Sequence, residues 1–172
     1  MKIVTAPNKI LTSPTKKVAT FDEELKKLVR EMEKTLERQH DPEGVGLAAN
    51  QVGKDLSIAI IVLNGERTKA PQQPVFLALI NPKITKFSGK NEEDYEGCLS
   101  VPDQYGLVER DQKIKVEAQD LKGERIEITA EGFLARIIQH EVDHLNGKLI
   151  TGKVKGKLYT ERELEMLFSP KT

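Results

Sequence analysis

The sequence predicts an α+β fold: a central helix packed among mostly antiparallel β-sheets, with a second helix near the N-terminus. Three observations lead there. A capped amphipathic stretch lies early in the chain, over residues 22–40. Short apolar or alternating runs fill the middle, and two of them flank a glycine turn. A second helical pattern follows that hairpin and carries the histidines discussed below.

Taken in order, residues 1–19 read as irregular, broken by Pro7 and Pro14. A helix is expected from Asp22 to His40, with Thr20 and Glu23 spaced as a capping box. Phe21, Leu25, Leu28, Val29, Met32 and Leu36 form its apolar stripe, and Asp41-Pro42-Glu43-Gly44 breaks it. The run from Gly44 to Gly53 contains two glycines around Val45 and then two alanines, which indicates backbone in a tight place. Either Gly46 admits a substrate backbone, or the run is a loop packed under a strand. Leu56–Leu63 and Val75–Ile80 are branched apolar runs expected to be buried strands, joined by a loop over 64–74. Ile84–Phe87 is expected to add a short strand. Lys113–Gln119 and Arg125–Thr129 alternate about a turn at Gly123 and form a hairpin. The second helix follows, capped by Thr129 with Glu131 in its first turn, and stops at Asn146-Gly147. Leu149-Ile150, a basic turn with Lys153, Lys155 and Lys157, and an acidic stretch at Glu161, Glu163 and Glu165 complete the chain. No repeat or internal boundary interrupts it, so residues 1–172 are expected to form a single domain.

Lys plus Arg and Asp plus Glu each number 27, a balance that gives no electrostatic case for nucleic acid or an anionic membrane. No segment approaches the ~20 apolar residues that span a bilayer, and the N-terminus lacks the apolar run of a signal peptide. A cytoplasmic protein is the expectation. Cys98 is the single cysteine, so no internal disulfide forms.

His140-Glu141-Val142-Asp143-His144 places two of the chain's three histidines one helical turn apart on one face. Both imidazoles can then reach one metal ion. Glu141 is rotated by about 100° from His140, where it avoids the ion but reaches a water beside it. This is the zinc-hydrolase arrangement, with glutamate as general base. Phe133 and Ile137 share the histidine face, which gives the site an apolar floor. A catalytic metal of this kind takes three protein ligands and keeps one position open. A third histidine downstream is excluded, because Ile150 stands at that place. The residues leave Cys98 and the group Glu161, Glu163 and Glu165 as candidates. A thiol kept reduced, which a metal favours as thiolate, speaks for Cys98.

Three segments together resemble the motifs of peptide deformylases: Gly44-Val45-Gly46-Leu47-Ala48-Ala49-Asn50-Gln51, Glu96-Gly97-Cys98-Leu99-Ser100 and His140-Glu141-Val142-Asp143-His144-Leu145. Their order and spacing also agree. The resemblance implies an α+β fold and removal of the formyl group from the N-terminal methionine of nascent chains. It implies Cys98, His140 and His144 as ligands of one divalent metal ion, ferrous iron in the usual case, with zinc, nickel or cobalt able to replace it. It implies Glu141 as acid and base, and Gln51 with the Leu99 N–H as the groups facing the developing oxyanion. A peptide would pair with Val45, Gly46 and Gly97, and its methionine side chain would enter a pocket formed with Val45, Phe133 and Ile137. Some family members carry a basic residue shortly after the second motif; residues 103–109 here hold none, so either Tyr105 substitutes by hydrogen bonding or the peptide is gripped mainly by backbone. Arg110 and Asp143 either pair near the site or form a surface ion pair, and Arg136 is expected near the presumed pocket rim. The implied partners are N-formyl-methionyl nascent peptides and the ribosome near its exit tunnel, and the implied state is a monomer. From the residues alone, an HExxH metallopeptidase with a downstream glutamate ligand is the alternative.

Overall fold

The computed structural model describes residues 1–39, 44–63 and 74–169. Helix α1 (Glu23–Glu37) begins where the Asp22 carboxylate accepts the Leu25 N–H at 2.9 Å. Asp22 therefore caps α1, not Thr20, because it stands three residues before a free amide of the first turn. The helix ends at Glu37; His40, Asp41, Pro42 and Glu43 lie outside the described residues.

Strands β1 (Gly46–Ala48), β2 (Ile58–Val62), β3 (Phe76–Phe87), β6 (Lys113–Gln119) and β7 (Arg125–Glu131) form one antiparallel sheet in the order β1-β2-β3-β6-β7. β4 (Asn91–Cys98), β5 (Val101–Asp111) and β8 (Lys155–Tyr159) form a second antiparallel sheet in the order β4-β5-β8. The runs expected as separate strands at Val75–Ile80 and Ile84–Phe87 are one strand, β3, which passes through a register shift at Asn81-Pro82. A bulge accommodates proline in a strand. Asn81 fastens it by accepting the Val18 N–H at 2.8 Å and donating to the Val18 carbonyl at 2.9 Å. Of the expected 64–74 loop, residues 64–73 lie outside the described residues.

The larger sheet is covered on both faces. Ile58, Ile60 and Ile80 meet Leu25, Val29, Met32 and Leu36 of α1 on one side. Ile61, Leu79, Ile114, Val116 and Ala130 meet Ala135, Ile138 and Val142 of helix α2 (Gly132–Leu145) on the other. Burial on both faces explains why β2 reads as an unbroken apolar run. Each Val, Leu, Ile or Met among them, fully buried, contributes about 1.5–3 kcal/mol. α2 also contacts β5, so it lies between the two sheets.

α2 starts at Gly132, later than the sequence indicates. Thr129 belongs to β7, opposite Lys115, and the strand runs directly into the helix through Gly132 at φ 57°. Glu131 occupies the cap position without a side-chain cap bond. Asn146 and Gly147 end the helix, Gly147 at φ 69°. A side chain on Gly147 would also meet the carbonyl carbon of Thr12 at 2.7 Å, so the N-terminal segment seals this end of α2. That segment is tied there by the Thr15 N–H, which donates to the Leu145 carbonyl at 2.8 Å. The acidic stretch near the C-terminus is a further helix, α3 (Glu161–Phe168), capped by Thr160. No helix among the described residues is long and apolar enough to cross a membrane.

Candidate metal centre

Three donor atoms converge between α2 and the end of β4. His140 and His144 stand one turn apart on α2, with their Nε2 atoms 3.1 Å apart. Cys98 closes β4, where the pairing with β5 slips by a bulge between Gly97 and Cys98. A bulge re-aims the side chain it carries. The Cys98 Sγ lies 3.2 Å from His144 Nε2, and the donor atoms of all three residues lie within 4.8 Å of one another. Glu163 does not join them: its carboxylate accepts the Thr160 N–H at 2.8 Å and pairs with Lys157. Among the described residues the thiol and two imidazoles are the metal-ligating group found, and Glu161, Glu163 and Glu165 are not in it.

Supporting contacts select the tautomer. The His140 Nδ1 stands 3.0 Å from the Glu96 carboxylate, which is an acceptor, so Nδ1 carries the proton and Nε2 offers its lone pair. Glu96 is held in turn by the Arg110 Nε and Nη2 at 2.9 and 2.8 Å and by the Arg136 Nη1 at 2.8 Å. Arg110 extends the chain to Asp143, and Lys153 reaches Asp143 at 3.0 Å. Burial alone raises the Glu96 carboxyl, but the hydrogen bonds from Arg110 and His140 hold it well below the usual carboxylate range. Burial also works against charge on His140, yet bonds to Cys98 and Glu96 keep it well above the ordinary imidazole range; burial and the neighbouring His140 hold His144 well below it. A cation held by these donors would take the place of the proton that His140 otherwise keeps on Nε2. The donor set fits a metal ion on these grounds.

Glu141 sits against β1. A Cβ on Gly46 would lie 2.5 Å from Glu141 Oε1, so the carboxylate occupies space that any side chain at 46 would fill. Its Oε2 is buried without a hydrogen-bond partner, and burial pushes this carboxyl up to about 7. Gln51, in a one-turn helix over Ala49–Val52, accepts the Ala48 N–H at 2.8 Å and points its amide nitrogen at the centre, 3.8 Å from Cys98 Sγ.

These groups border a cavity of about 250 Å³. Val45, Gly46, Gly97, Phe133 and Ile137 all line it, as do Gln51, Leu99 and Glu141. Phe133 is exposed, so it stands at the rim and Ile137 makes the floor. The Tyr105 ring covers Gly97, where a Cβ would meet it at 2.5 Å. Arg136 does line the cavity, but its guanidinium is committed to Glu96 and to the carbonyls of Val108 and Glu92. Arg110 and Asp143 do pair beside the site, and the hub that joins them to His140 is Glu96, a residue the sequence motifs did not single out for this role. Its position directly before Gly97-Cys98, two residues from the thiol on the same strand face, was the available signal.

A family model described as polypeptide deformylase matches residues 1–158. The chain belongs to the polypeptide deformylase family. As a deformylase it is an enzyme and a hydrolase. It is 44% identical over 165 residues to peptide deformylase 1 of Bacillus cereus, covering 96% of this chain and 98% of that one. Among solved structures, a peptide deformylase from Legionella pneumophila superposes with a TM-score of 0.78 at 40% identity, over 90% of this chain and 85% of that one. A class I type b peptide deformylase from Acinetobacter baumannii, crystallised with Met-Ala-Ser bound, gives a TM-score of 0.79 at 35% identity, over 90% and 98% of the two chains.

Proposed function

We propose that this deformylase hydrolyses the N-formyl group of newly made polypeptides at their N-terminal methionine, with Cys98, His140 and His144 holding one divalent metal ion. The observation that carries the residue assignment is the convergence of one thiol and two imidazoles beside a buried carboxylate at the end of an open cavity. When bound, the ion supplies Lewis acidity, lowering the pKa of a water from ~15.7 towards ~7. Glu141, rotated away from the donors and free at Oε2, takes a proton from the attacking water and returns it to the leaving nitrogen. A C–O bond forms at the formyl carbon, the C–N bond breaks, and formate and a free amine result. The Gln51 amide and the Leu99 N–H face the oxygen that becomes negative, and one such donor is worth roughly 3–4 kcal/mol of barrier.

The peptide pairs as a strand between Val45 and Gly46 on one side and Gly97 on the other, with its methionine over Ile137 and inside Phe133. The Acinetobacter enzyme's ligand, a peptide that begins with methionine, supports this placement. One thiolate and two imidazoles suit iron or zinc, with nickel and cobalt able to enter the same set; ferrous iron is the proposed native metal. The reading extends to one catalytic domain over residues 1–172, acting as a cytoplasmic monomer near the ribosomal exit tunnel. Anaerobic purification, metal analysis and assay on a formyl-Met peptide against its acetyl counterpart test it. About one iron per chain with turnover of the formyl peptide alone is expected; metal elsewhere, or equal turnover of both, contradicts it.

A further inference from the structure

We infer that Ser100 is a positioning residue for deformylation: its hydroxyl oxygen holds the Gln51 amide so that one N–H remains for the substrate oxygen. The inference rests on the role proposed for Gln51. A glutamine amide offers one acceptor oxygen and two N–H donors. The Ala48 backbone N–H can only donate, so the Gln51 oxygen must face it, at 2.8 Å, and the nitrogen must face the metal centre. That nitrogen then lies 3.2 Å from Ser100 Oγ. Ser100 takes one N–H, and the other faces Cys98 Sγ at 3.8 Å, on the cavity side where a substrate oxygen would replace this long contact.

The placement of Ser100 gives this contact a purpose beyond filling a hydrogen bond. Ser100 is fully buried, and its own carbonyl accepts the Ala6 N–H at 2.9 Å, so its backbone is tied to the N-terminal segment. Cys98, Leu99 and Ser100 are consecutive. One turn therefore carries the thiol, the Leu99 N–H and the acceptor that orients Gln51. Gln51 itself comes from the other sheet's side of the cavity, next to β1. The Ser100 hydroxyl is the bond that keeps the two oxyanion donors in mutual register across the gap. Preorganised donors of this kind act only while they are aimed at the developing charge.

A double-mutant cycle tests this. Gln51→Ala is expected to lower kcat by about 10²–10³-fold, as loss of an oxyanion donor does. Ser100→Ala is expected to lower kcat by roughly tenfold with KM within about twofold, because aim is lost and ground-state binding is not. In the Gln51→Ala background, Ser100→Ala should cost nothing further. In zinc-loaded protein, the two Gln51 side-chain amide protons should exchange slowly in the wild type and faster in Ser100→Ala. Additive losses, or unchanged amide exchange, overturn the inference while leaving the Gln51 role intact. A Gln51→Ala enzyme with wild-type kcat removes both.

Discussion

A methyl group on Gly46 would stand 2.5 Å from Glu141 Oε1 and 2.9 Å from Ile137 Cγ2. Neither neighbour can retreat, since both belong to the buried side of α2. Gly46→Ala is therefore expected to displace the Glu141 carboxylate rather than the metal donors. Loss of about 10²-fold in kcat/KM, with metal content unchanged, is the expected result, the scale on which a 1 Å misplacement acts. Near-normal activity would show that Glu141 has room the geometry does not reveal. Glu141→Gln keeps the size and removes the base. It should retain the metal and lose about 10²–10⁴-fold in turnover, read by metal analysis alongside kinetics. Cys98→Ser acts the other way: a hydroxyl is a poor replacement for thiolate, so bound metal should be lost first and activity as a consequence.

At the scale of elements, the centre is a joint between β4 and α2, and Glu96 is its hub. One carboxylate accepts from His140, Arg110 and Arg136, so it both orients a donor ring and pairs with two buried guanidiniums, one of which Asp143 also meets. Glu96→Gln should weaken metal affinity about 10–100-fold through His140. It should also lower stability by on the order of 3–5 kcal/mol, because a buried charge group loses its partner. Chelator competition and denaturant unfolding measure the two effects; a change in neither would mean the hub is replaceable. The same hub explains what sequence patterns revealed. α2, β2 and the β6–β7 hairpin were legible because apolar side chains face the core at helical or alternating spacing. β4 and β5 were not, because their inward positions carry Glu96 and Arg110 in place of apolar residues, and alternation disappears. β8 is a lysine-bearing edge strand and read as a basic turn, and α3, with no buried residue, lacked a core-facing stripe to detect. Its Thr160–Glu163 capping box was the overlooked signal. His140 and His144 were legible as candidate ligands from their spacing, whereas spacing left Cys98 open beside the downstream glutamates and the resemblance of the three motifs pointed to it; neither signal depends on packing.

For the molecule as a whole, a bound metal would add one more tie between two layers already joined by the Glu96–His140, Glu96–Arg136 and Arg110–Asp143 contacts. α2 is fixed to the larger sheet by Ile138, Val142 and their neighbours. Cys98 comes from the smaller sheet, whose own apolar cluster with Val101 and Ile150 is slight. A cation shared between Cys98 and the two histidines would thus fasten the weaker layer more firmly to the stronger one. Binding to the folded state alone stabilises by about 2.7 kcal/mol at a free metal concentration 100 times Kd. In a chain of this size, about 2–4 °C of Tm accompanies each kcal/mol, so stripping the metal should lower Tm by about 5–11 °C. The loss should be uneven. Amide exchange should quicken in β4, β5 and the last turn of α2, while α1, buried in a separate core with Ile58 and Ile60 of β2, keeps its protection. Calorimetry and exchange on loaded and chelator-stripped protein decide the matter. Equal melting temperatures, or a uniform loss across both sheets, would mean that the ion serves the chemistry without joining the layers.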